Sequence, residues 1–201
     1  MSTAESSRKS PERREAEALA ARLDAKMACI LAEAEQSEVC RIMADPATGP
    51  RFVAAIVKYV LLEVFSYGPH VTEATFTAIG RVPKNRPDLM KRMIMHDLSE
   101  VDHGEMALKD FLELGGDEAW ARSRRITPAA FVLGATCRAL AEHESPFAYL
   151  GYMYLFEALT PVLAERTQEF LAAKGFPRDA RHFIDFHATE DIGHANALRK
   201  L

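Results

Sequence analysis

Three segments of this sequence place acids and histidines where a packed helix would carry apolar residues. The first is His96-Asp97-Leu98-Ser99-Glu100-Val101-Asp102-His103, in which Glu100 and His103 stand three residues apart. On an α-helix such residues sit one turn apart on one face, which suits two ligands on one metal. His96 lies on the same face one turn earlier, as a partner for Glu100 or as an exposed side chain. The second segment spaces His187, Asp191 and His194 at i, i+4 and i+7. A continuous helix would line these up as one stripe over about two turns. Burying that stripe unpaired would cost roughly several kcal/mol, so it faces water or binds something. The third segment is the apolar run from Tyr149 to Leu159, which carries the single carboxylate Glu157. A lone acid there needs a cation or a hydrogen-bonded partner. Arg138 or Arg166 would make an ordinary ion pair; a metal would serve as well.

The candidates are therefore Glu100, His103, Glu157, His187, Asp191 and His194. Oxygen and imidazole ligands without sulfur suit non-haem iron or manganese, whereas Ca²⁺ takes oxygens alone. Helical bundles that combine Glu-x-x-His pairs with further carboxylates hold two metals. Two irons sharing carboxylates can bind and reduce O₂, provided coordination positions stay open for O₂ and substrate. Against this stands the plainer alternative that each segment is a surface cluster or a structural ion pair.

The elements that must position these residues are helical. Ser10-Pro11-Glu12 opens a long stretch that runs, with breaks, to about Ala44. A helix over about residues 51–67 is expected to stop at Gly68-Pro69, and a shorter one to cover 71–79. A long helix over about 87–114 ends at Gly115-Gly116. Shorter helices near 117–122 and 127–143 follow, then one over about 145–174 with a kink at Pro161, and a last one over about 178–201. No stretch alternates with the period of a strand. The expected class is all-α with seven or eight helices, as a single domain over residues 12–201 behind a disordered tail over 1–11.

Composition excludes several alternatives. The chain has 201 residues with a net charge of −4, which gives no general attraction to nucleic acid. No uninterrupted apolar run reaches the roughly 20 residues of a membrane span, and the polar N-terminus lacks the apolar core of a secretory signal. Three cysteines without a Cys-x-x-Cys pair indicate neither a disulfide framework nor a zinc ribbon. A cytoplasmic protein is expected, with a homodimer as its assembly.

Glu100-x-x-His103, Glu157 and His187-x-x-x-Asp191-x-x-His194, in that order, resemble the haem-oxygenase-like di-iron oxidases and oxygenases. The spacing is closest to the branch containing the fatty-acid decarboxylase that makes terminal alkenes. The resemblance covers about residues 97–197, and the final His-x-x-x-Asp-x-x-His is its most specific part. It implies a haem-oxygenase-like (TenA-like) bundle of about seven helices without haem. The six residues would hold two irons cycling between Fe(II) and Fe(III), with manganese as the alternative metal. It further implies a last core helix able to shift on metal binding. The expected activity is O₂-dependent oxidation of a small carboxylic-acid or amino-acid-like metabolite, by C–H abstraction, decarboxylation, fragmentation or N-oxygenation. The expected partners are that substrate, O₂ and an external electron donor. Some members place the first histidine seven residues after the glutamate; here that position is Ala107, which leaves the amino-acid-cleaving branch less favoured.

Other residues have types that could serve a site. Glu63 and His70 have a Glu-x₆-His spacing, but with Gly68-Pro69 between them a structural role is favoured. Glu190 neighbours the stripe and could replace Asp191. Lys58, Arg41 or Arg138 could hold a substrate carboxylate. Tyr152 and Tyr154 could line a pocket. The competing function is a metal-free TenA/thiaminase-like hydrolase, with Cys137 as its nucleophile, or a cofactorless oxidase on the same fold. A metal-storage protein is a third possibility.

Overall fold

The computed structural model describes residues 10–199. Most of the expected tail therefore lies outside the described residues; Ser10 and Pro11, its last expected members, instead open the first helix. The Ser10 hydroxyl accepts the Arg13 N–H at 3.3 Å and caps α1 (Pro11–Glu35). Among the described residues the rest of the chain is also helical: α2 (Glu38–Ala44), α3 (Pro50–Gly80), α4 (Pro87–Glu100), α5 (His103–Glu113), α6 (Glu118–Ser123), α7 (Pro128–His143), α8 (Pro146–Ala173), a 3₁₀ turn (Arg178–Ala180), α9 (His182–His187) and α10 (Glu190–Leu198). The all-α class holds, with more segments than the seven or eight expected.

Three expected helices are interrupted and one expected stop is absent. Ser37 caps α2 by accepting the Cys40 N–H, which separates α2 from α1. Val101 and Asp102 divide α4 from α5, and Ala188 and Thr189 divide α9 from α10. Conversely, α3 runs straight through Gly68-Pro69. Pro69 has no N–H to give the Phe65 carbonyl, a defect worth about 3 kcal/mol in an isolated helix. Packing on both sides of it carries α3 onward: Val53, Val57, Leu61 and Leu62 before it are buried, and so are Ala74, Ala78 and Ile79 after it. Gly115, at φ 76°, ends α5 as expected.

Two apolar clusters result. One gathers the first half of α3 with Leu108 and Phe111 of α5, Leu171 at the end of α8, and Ile184 of α9. The other gathers the second half of α3 with Leu89 and Met93 of α4, Cys137 and Ala141 of α7, and Tyr149 and Met153 of α8. The middle of α3, the end of α4, the start of α5 and Glu157 of α8 belong to neither. A polar layer thus lies between two apolar ones. By length and apolar content α3 and α8 both reach what a membrane crossing requires; here they are the two helices that run through both clusters.

One buried acid ties this frame to the polar layer. Asp110 of α5 is fully buried, and its Oδ2 accepts the Phe183 N–H at 2.7 Å. It thereby caps the start of α9 from outside that helix, where a carboxylate complements the helix dipole. α9 carries His187 at its other end. Asp110→Ala is expected to lower stability by about 1–2 kcal/mol, read as a lower midpoint in urea unfolding.

Candidate metal centre

All six predicted residues converge in the polar layer, in two groups that share Glu100. In the first group, Glu100 Oε2 lies 2.6 Å from His103 Nδ1, and His103 Nδ1 lies 3.0 Å from His187 Nε2. His187 Nδ1 sits 2.6 Å from the Phe183 carbonyl. A carbonyl only accepts, so Nδ1 carries the hydrogen and Nε2 offers its lone pair toward the group. In the second group, His194 Nδ1 lies 3.3 Å from Glu100 Oε1, 3.2 Å from Glu157 Oε2 and 3.9 Å from Asp191 Oδ1. His96 Nε2 completes it, 3.3 Å from Glu157 Oε1.

These spacings match a shared cation. With metal–ligand bonds of about 2.1 Å, neighbouring octahedral ligands stand about 3.0 Å apart. Glu100, His103 and His187 offer ligand atoms mutually close enough to hold one metal ion, and so do His96, Glu100, Glu157 and His194; Asp191 stands beside the second set, 3.9 Å from His194. The hydrogen-bond inventory supports the same conclusion. Glu100 Oε1, Glu157 Oε2, Asp191 Oδ1 and His194 Nδ1 are all buried without a hydrogen-bond partner. Such orphans are costly in a folded interior, and divalent cations bound among them would satisfy them. The residues present fit a metal of the iron or manganese type.

The ordinary alternatives for Glu157 do not occur. Arg138 pairs with Glu73 at 2.6 Å and Arg166 pairs with Glu35. Glu63 accepts from Arg124 at 3.0 Å and from the Thr127 hydroxyl, so its role is structural. The cause differs from the one expected, because α3 does not stop between Glu63 and His70. His70 packs instead against Gly134 of α7, where an added Cβ would meet its side chain at 2.9 Å. Glu190 is exposed. Cys137 is fully buried, and burial raises its thiol above the usual range, the opposite of an activated nucleophile.

The electrostatics follow from packing these charges together. Burial pushes Asp191 up to about 8, with Glu157 and Glu100 adding repulsion. The carboxylates of Glu100, then Glu157, close against its ring push His194 up to about 10. Burial pushes His187 down to about 4, so its ring is neutral near pH 7. Burial opposes the charge on Glu100, but His103 and His194 outweigh it and hold Glu100 well below the usual carboxylate range.

A cavity of about 480 Å³ opens onto the cluster. Phe65 and Tyr67 of α3, Val101, and Tyr152 and Phe156 of α8 form much of its wall. Burial raises Tyr67 to about 12, so it stays a neutral donor. A second cavity, of about 390 Å³, also reaches Glu157 and is walled by Asp24, Tyr154 and Arg199. There Tyr154 donates to Asp24 at 3.0 Å, and Arg199 pairs with Asp24 at 2.8 Å.

Residues 58–201 match a family described as iron-containing redox enzymes. The chain belongs to this family. The matched region takes in both donor groups of this iron-containing redox enzyme and begins inside α3, leaving α1 and α2 outside. No curated protein matches the sequence. Among solved structures the chain is similar to the crystal structure of a domain of unknown function with a heme oxygenase-like fold from Shewanella denitrificans. The TM-score is 0.78 at 19% identity, over 90% of this chain and 76% of that one. That likeness establishes the haem-oxygenase-like fold expected from the motif.

Two features of the enzyme's site differ from expectation. The His187-to-His194 motif does not form one stripe on one helix. The break at Ala188-Thr189 sends His187 into the first group and His194 into the second, with Asp191 beside it. His96 is a member of the second group. Its signal in the sequence was the four-residue step to Glu100.

Asp191 and His194 both carry a proton near pH 7, and a metal has to displace both. Metal affinity should therefore rise by about two decades per pH unit below about pH 8, and by about one per unit from there to about pH 10. Competition against a chromophoric chelator, with Co(II) as a redox-stable probe between about pH 6 and 7.5, would read this; a flat profile would contradict the proton assignment.

Proposed function

We propose that this iron-containing redox enzyme is a non-haem di-iron oxidase or oxygenase. It would use O₂ to oxidise a small carboxylic-acid or amino-acid-like metabolite bound in the larger cavity, with an external donor returning electrons. The observation that carries this is the sharing of Glu100: its two oxygens face two separate donor groups, each built like a ligand set. Glu100, His103 and His187 would hold one metal; Glu100, Glu157, Asp191, His194 and His96 the other. Two irons there would supply electrons and open coordination positions for O₂, and the all-nitrogen-and-oxygen donor set suits manganese as well.

The chain's own residues do the rest. The Phe183 carbonyl orients His187 by holding its Nδ1 hydrogen. Asp110 fixes the helix on which both residues lie. Phe65, Phe156 and Val101 exclude water from the substrate, which strengthens every electrostatic interaction inside. Tyr67 and Thr75 offer hydroxyls to the substrate's polar atoms. The buried thiol of Cys137 argues for this chemistry over a cysteine-dependent hydrolase.

Metal content and rapid mixing test the proposal together. The wild type should bind about two Fe(II) per chain. Mixing the loaded anaerobic protein with O₂ should then give a transient visible absorption, strengthened by the right substrate class. Glu100→Ala should disturb both groups and drop iron to well under about one equivalent, whereas His187→Ala should lose about one. A wild type that binds no iron near about two equivalents, or shows no O₂-dependent absorption with any fatty or amino acid, would overturn the di-iron assignment.

A further inference from the structure

Asp97 is a carboxylate without a cation. It is only 3% exposed, and its Oδ2 has no hydrogen-bond partner. It lies on α4 between His96 and Glu100 and lines the larger cavity. Beside it stands the Thr75 hydroxyl, itself 2.9 Å from the Tyr149 hydroxyl.

The other acids along this cavity are already matched. Glu73 pairs with Arg138 at 2.6 Å and Glu105 with Arg122 at 2.9 Å. Glu100, Glu157 and Asp191 belong to the two donor groups. Among the described residues no lysine or arginine lines the cavity. Lys58 and Arg41 do not reach it, and Arg138 is occupied by Glu73. A substrate carboxylate therefore meets no counter-charge on this wall. An ammonium group meets Asp97, and buried carboxylates are stabilised most by a cation that also hydrogen-bonds.

We propose that Asp97 anchors the ammonium group of a primary-amine substrate, whose apolar body lies along Phe65 and Phe156. Glu100 is one helical turn from Asp97, so the anchor places the carbons next to the amine close to the donor cluster. Of the substrate classes proposed above, this selects the amine-bearing one, and it rests on that assignment of the cluster as a redox-metal site. Asp97 is a substrate-binding residue here, not a metal ligand.

Head-group preference tests it directly. The Co(II)-loaded full chain would be titrated calorimetrically with n-hexylamine, 1-hexanol and hexanoate near about pH 7.5. Hexylamine should bind at least about tenfold tighter than hexanol. Asp97→Asn should erase that preference while leaving Co(II) content and hexanol affinity unchanged. Hexanoate binding as tightly as the amine, or no amine preference in the wild type, overturns the proposal; so does a preference that survives Asp97→Asn. The wild-type ranking decides by itself should Asp97→Asn fail to fold. Co(II) content is read on the same samples, so the two ideas fail separately. A chain that holds no metal yet still ranks the amine first keeps the anchor and discards the metal centre.

Discussion

Three carboxylates and four imidazoles share one desolvated layer, and their charges must be balanced there. Glu100, Glu157 and Asp191 would repel one another, and burial penalises each of them. The shifts record that tension: Asp191 is driven up to about 8 while His194 is driven up to about 10 by the same two glutamates. Positive charge between them relieves it, whether from protons or from metal ions. The remaining architecture follows from supporting such a layer. An apolar cluster on either side supplies the folding free energy that the polar layer cannot, and α3 and α8 are long because each has to cross from one cluster to the other.

Precise placement comes from the interruptions in the helices. If α4 and α5 were one straight helix, Glu100 and His103 would still be neighbours, but the short break lets Glu100 close one chain segment and His103 open the next. The break after His187 is more consequential, since it allows one short motif to serve both donor groups. Each break leaves backbone groups to be satisfied. Asp110 does this at the start of α9, at the cost of burying an acid whose other oxygen finds no partner. Protein interiors accept that cost where position matters more than stability.

Much of this was legible in the sequence. The six candidate ligands stand out because acids and histidines occupy helical positions that would otherwise be apolar, and that anomaly survives without any knowledge of the fold. The all-α class follows from the missing period of two and from the Pro and Gly punctuation. What could not be read were the events that depend on tertiary packing. Gly68-Pro69 is a helix stop by local chemistry, yet α3 passes through it because both flanks are buried. Ala188-Thr189 carries no breaker residue, yet the helix breaks there so that His187 and Asp191 can face different partners. Asp97 lies in the first of the three segments, but nothing there marked it apart from its neighbours. Its significance comes from the absence, among the described residues, of any lysine or arginine around the cavity, which is a property of the assembled wall.

Consider how α10 is attached. Among its residues only Asp191 is buried, and just beyond its end Arg199 reaches Asp24 of α1 across the surface. Most helices of this size are held by the oil they bury; this one adds only the half-buried Leu198 to the second apolar cluster and brings two charged side chains to the polar layer. Its docking is therefore thermodynamically linked to whatever neutralises the cluster, and any cation bound there would add its binding free energy to the docking of α10. The helix would in that sense be a reporter built into the fold: a cation bound among these residues would raise its protection against solvent exchange.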